Sequence, residues 1–137
     1  MDLRQSLLEL KSQDEYLASL NKEDVTHIIK SSIYEIENLE VFNEEELKEL
    51  NKVILTNEAF HNLYFKYNKE RLITKGVVYL EEENDLQFLI SLFYFFKQRV
   101  PILLKTNTKL QIQSLDIIQK FLKENNISGN FLIKIND

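Results

Sequence analysis

Four carboxylates fall within five residues at Glu81-Glu82-Glu83-Asn84-Asp85. Side chains crowded in this way can hold a hard cation, can meet a basic surface on another protein, or can complement the positive end of a helix dipole at a helix start. They repel a dinucleotide pyrophosphate, and no glycine stands beside them to let backbone N–H groups approach one. His27 and His61 are the only histidines, and neither belongs to an H-x-x-x-H or H-E-x-x-H pair, so each reads as a structural or surface residue. Ser91 and Ser114 lie outside any G-x-S-x-G context and beside no histidine, which leaves nucleophilic catalysis without its parts. The chain has no cysteine, and this removes disulfides, thiolate nucleophiles and Cys-ligated metals together. The expectation is a protein that is not an enzyme and uses no cofactor; Asp/Glu chemistry on a hard cation is the one catalytic alternative.

These residues must be held by elements whose periods change midway. Apolar residues at Leu3, Leu7, Leu8, Leu10, Tyr16, Leu17 and Leu20 predict a helical stripe broken around Ser12 to Asp14. Asn21, with Glu23 and Asp24 behind it, caps a second helix carrying Val25, Ile28, Ile29, Ile33, Ile36 and Leu39. Asn43 repeats that start ahead of Leu47, Leu50, Val53 and Ile54. A fourth helix is expected from Thr56 or Asn57 to about Arg71, with Phe60, Leu63, Tyr64 and Tyr67 inward. Val77-Val78-Tyr79-Leu80 then reads as a buried strand. The helix after it, around Leu86 to Phe96, is apolar on nearly all sides. Pro101 opens a strand Ile102-Leu103-Leu104, Thr108 and Gln111 form a capping-box pattern for the next helix, Asn126 and Gly129 end that helix, and Phe131 to Ile135 is a third strand.

Strands separated by whole helices are most simply parallel and joined by right-handed crossovers. The fold class expected is therefore α/β: a small three-stranded parallel sheet (βαβαβ, residues 76–135) preceded by about four helices (1–72) that cover the sheet surface left by the crossovers, all in one domain spanning 1–137. The polar stretch Asn68 to Lys75 is the one hinge the sequence offers.

The 137 residues are 44% hydrophobic and carry a formal charge of −5, with a pI near 5.2. An acidic chain without a Lys/Arg cluster argues against direct nucleic-acid binding. The N-terminal residues lack the apolar core of a secretory leader, and the longest apolar run, Leu86 to Phe96, falls well short of the roughly 20 residues needed to span a bilayer. A cytoplasmic protein with no membrane contact is expected. Lysine outnumbers arginine 14 to 3, a bias typical of AT-rich bacterial or phage genomes. Phe93, Tyr94, Phe95 and Phe96 in succession point aromatics in every direction, so Tyr94 and Phe95 are expected at a partner or self-association surface.

Tyr16-Leu17-Ala18-Ser19-Leu20, Gly76-Val77-Val78 followed by Asn84, and Ile102-Leu103-Leu104-Lys105 together resemble the N-terminal part of the aldehyde dehydrogenase superfamily, in particular its acylating acetaldehyde dehydrogenase branch. The resemblance implies an oxyanion-holding amide at Asn84 and a ribose-binding amine at Lys105. Glu83 and Asp85 stand where the family has prolines, and Arg99-Val100 where it has Gly-Asn. The cofactor helix and catalytic-cysteine domain have no counterpart here, so the resemblance implies a remnant of a cofactor domain and no dehydrogenase.

Two functions follow as expectations. One is a non-catalytic regulatory protein of inhibitor, immunity or adaptor type, meeting a basic partner through Glu81, Glu82, Glu83 and Asp85 with help from Tyr94 and Phe95. The other is a binder of a nucleotide or acyl carrier at Asn84 and Lys105. A homo-oligomer is compatible with either.

Overall fold

A computed structural model describes residues 3–55, 72–74 and 77–135. The helices are α1 (Leu3–Lys11), α2 (Asp14–Ala18), α3 (Lys22–Glu37), α4 (Glu44–Leu55), α5 (Asp85–Lys97) and α6 (Lys109–Glu124); the strands are β1 (Leu72–Thr74), β2 (Val77–Glu81), β3 (Ile102–Lys105) and β4 (Leu132–Lys134). The chain is α/β as expected, with β2, β3 and β4 parallel and in sequential order. The expected fourth helix, with His61 and the aromatics Phe60, Tyr64 and Tyr67, lies outside the described residues.

One strand was not anticipated. β1 pairs antiparallel with β2 and makes the sheet four-stranded, so the stretch expected to be a hinge contains an edge strand. Three residues flanked by Arg71 and Lys75 are too few to establish a period of two, and pairing with the regular edge of β2 supplies what local sequence does not.

Alternation along the strands divides the core. Val78, Leu80, Ile102 and Leu104 face a large cluster built with α3, α4, α5 and α6. Val77 and Leu103 face the other way and meet Leu10 of α1. The N-terminal helices were expected to cover the sheet; among them α1 does so, lying against β2, β3 and β4, whereas α3 and α4 pack on the crossover helices. The reason is α5. It buries nine consecutive residues, Phe88 to Phe96, and a helix apolar all round needs partners on its outer side as well as the sheet. Tyr94 and Phe95 are 1% and 2% exposed, so their expected place at a partner surface is corrected: they are core, in edge-to-face contact with each other at 5.4 Å between ring centroids.

The helix ends follow from a chain with only two glycines. Asn43 and Glu46 form a full capping box: each side chain accepts a hydrogen bond from the other's backbone N–H, at 3.0 and 2.9 Å. Left-handed positions after helices fall to Glu40, Arg99 and Asn126. After α5, the Val100 and Arg99 amides donate to the Phe95 and Phe96 carbonyls, the bonding pattern of a Schellman end; after α6, Ile127 and Asn126 do the same to Leu122 and Lys123. α6 thus ends at Glu124, and the left-handed turn behind it is made by Asn126 and not by Gly129.

Candidate functional site

Ligands of open α/β sheets gather at the carboxyl ends of the strands, which here are the β2–α5 turn and the β3–α6 turn. The first is built as a helix start. Asn84 has extended backbone and its Oδ1 accepts from the Gln87 amide at 2.9 Å, which makes it the cap of α5. The second is also a cap: Thr108 Oγ1 accepts from the Gln111 amide at 3.1 Å. The reciprocal reach of the capping box goes one residue further back than the sequence pattern implies, with Gln111 Oε1 accepting from the Asn107 amide at 2.8 Å.

The two turns are then bonded to each other. Gln111 Nε2 donates to the Glu82 carbonyl at 2.7 Å and to Asp85 Oδ1 at 3.3 Å, and Thr108 Oγ1 donates to the same Asp85 oxygen at 2.6 Å. Gln111 has no solvent exposure. Its amide therefore bridges the two turns with satisfied bonds, the condition under which a buried polar group rigidifies its surroundings. Sequence reasoning found Thr108 and Gln111 only as a cap. The missed signal is a glutamine in line with Ser114, Leu115, Ile118 and Leu122, on the face of α6 that turns inward.

Lys105 lies opposite Glu81 in register at the ends of β3 and β2. Its Nζ is 3.8 Å from Glu81 Oε2, and Tyr79 donates its hydroxyl proton to Glu81 Oε1 at 2.8 Å. Tyr79, Glu81, Glu82, Glu83, Asn84 and Asn107 line an open groove of about 530 Å³. Asn84 reaches the groove while Lys105 is absent from its lining. On the other side of the α5 start, Glu45, Glu46 and Glu49 flank Leu86 together with Lys48 and Lys52. Among the described residues no three His, Asp or Glu side chains converge closely enough to hold a metal ion, and no helix is long and apolar enough to cross a membrane.

The opposite end of α5 collects cations. Lys97 Nζ donates to the carbonyls of Val53 and Ile54 at 2.9 and 3.2 Å, closing the end of α4, and Arg99 donates to the Lys97 and Leu20 carbonyls at 2.7 and 3.3 Å. Burial lowers the pKa of Lys97 below the ordinary lysine value, and the charge of Lys22 adds to the shift. The molecule is thus polarised along its helices, carboxylates at the N-termini of α4 and α5 and cations at their C-termini, as the helix dipoles favour. No family model, curated protein or solved structure matches this chain.

Proposed function

We propose that the protein is a cytoplasmic regulatory protein of bacterial or phage origin that binds a basic partner protein through the acid-rich end of its sheet and carries out no chemistry itself. The observation that carries this reading is how the polar groups divide at that end. Asn84, Asp85, Thr108 and Gln111 hold the turns, while Glu81, Glu82 and Glu83 line the open groove and Glu45, Glu46 and Glu49 continue the charge beyond α5. Carboxylates outnumber cations on this rigid end, where Lys52 pairs with Glu49 and Lys105 with Glu81, and the surplus steers a basic partner and selects against acidic ones. Asp85, with its Oδ1 bonded to Thr108 and Gln111, contributes to rigidity more than to contact.

A nucleotide or acyl-carrier site at Asn84 and Lys105 is the second reading, and the groove that includes Asn84 favours it. Three carboxylates on the groove walls oppose the phosphate of either ligand, and Lys105, the cation that would answer it, is paired with Glu81. The partner reading therefore stands first.

The test is affinity capture from lysate of the source cells, with wild-type protein and the double reversal Glu82→Lys/Glu83→Lys side by side. A basic protein retained by the wild type, lost by the variant and released by moderate salt is the expected result. Capture unaffected by the reversal, or a saturable thermal shift with NAD(H), CoA or ATP that Lys105→Ala abolishes, would replace this reading with another.

A further inference from the structure

The sheet face under α1 is held differently from the rest of the protein. Leu10, Val77 and Leu103 form a small cluster separate from the main core, bordered by the partly buried Leu7, Tyr79, Ile133 and Ile135. Of the nine residues of α1, Ser6 and Leu10 are buried, and Leu3 and Leu8 are 56% and 63% exposed. A helix of this length does not persist alone in water, so it is held by docking, in which Leu10 is the one fully buried apolar side chain that α1 contributes among the described residues, beside the buried Ser6. The next element is anchored elsewhere: Leu17 of α2 belongs to the main core, and Tyr16 accepts a hydrogen bond from the Ser128 amide at 2.8 Å. The turn at Ser12 and Gln13 between α1 and α2 is thus a boundary between a lightly docked element and a firmly docked one.

We propose that α1 is a strap that leaves the sheet as a unit, hinging at Ser12 and Gln13, while α2 to β4 stay folded. Its departure uncovers Val77, Leu103 and Ile133. The uncovered strip is apolar along its middle and closes on Tyr79 and Glu81, two residues that also line the acidic groove. The strap therefore controls access to an apolar floor continuous with the charged wall. This goes beyond the partner reading and stands without it, because the opening is a property of the free protein.

Amide hydrogen exchange followed by mass spectrometry on the wild-type protein, at several urea concentrations below the unfolding transition, tests the proposal. Amides of α1 are expected to exchange at least about 100-fold faster than those of α5, with little dependence on urea, as a small local opening requires. In Leu10→Ala the protection of α1 should vanish while α5 and α6 remain protected. Exchange of α1 at the rate and urea dependence of α5 in the wild type would overturn the strap, whatever the variant does, and so would loss of protection throughout a folded Leu10→Ala protein.

Discussion

The two faces of the sheet are built from equally apolar residues and held by unequal means. Val78, Leu80, Ile102 and Leu104 meet α5 and α6, backed by α3 and α4, in a cluster that extends from Leu17 to Phe131. Val77 and Leu103 are as fully buried, yet α1 alone among the described helices closes over them. A strand's alternation places apolar side chains on both sides but does not decide how deep the cover is. Depth comes from the helices: α5 is apolar on every side and draws two more helices over itself, whereas α1 has one narrow apolar stripe and leaves Leu3 and Leu8 in solvent. Among the described residues the cover is deep on one face and thin on the other, and the proposed strap lies on the thin one.

Substitutions sharpen the contrast in order of size. Phe88→Ala, at a fully buried position of α5, should cost about 3–5 kcal/mol in urea unfolding, since the thick face cannot collapse into the cavity. Gln111→Ala removes the amide that binds the Glu82 carbonyl and the Asn107 N–H. It should cost about 2 kcal/mol by leaving those groups without their buried partner, and so show that the crossover helices are pinned together at their starts. Asn84→Ala removes the cap of α5 and should cost about 1 kcal/mol. Glu40→Gly, at a left-handed position with φ of 58°, should gain up to about 1 kcal/mol. Glu81→Gln on the thin face breaks a partly exposed ion pair at 3.8 Å and should change stability by less than about 0.5 kcal/mol.

The smallest effect is one of pH. The folded-state pKa of Lys97 lies below its unfolded value of 10.5, so the unfolded chain holds the extra proton in the interval between the two. Stability from this group rises with pH across that interval. A difference titration against Lys97→Met should remove that rise; identical pH profiles for the two proteins would contradict it.

The βαβαβ half was legible because its strands are short apolar runs separated by whole helices, and Asn21, Asn43 and Thr108 cap helices where the sequence places them; Asn84, expected as a ligand contact, also caps a helix. The destination of each helix was not. Periodicity tells which side of α1, α3 or α4 is apolar and nothing about the surface that side will meet. The same limit explains Tyr94 and Phe95: four aromatics in a row look like surplus until α3 and α4 are seen packed on the outer side of α5. The tie between the strand-end turns escaped for a different reason, since Gln111 bonds to residues 25 or more positions away in Glu82 and Asp85, and no local pattern carries that pairing.

Leu10 and Leu89 offer a matched pair, each a leucine with no exposed surface, one on the thin face in α1 and one on the thick face in α5. Equilibrium urea unfolding of Leu10→Ala and Leu89→Ala is the measurement to make. Leu89→Ala should lose about 3–5 kcal/mol. Leu10→Ala should lose no more than about 2 kcal/mol, because its cost is limited to the free energy that keeps the strap closed. Equal losses would mean that α1 is bound into the same cooperative unit as α5, and the distinction between the two faces would fall.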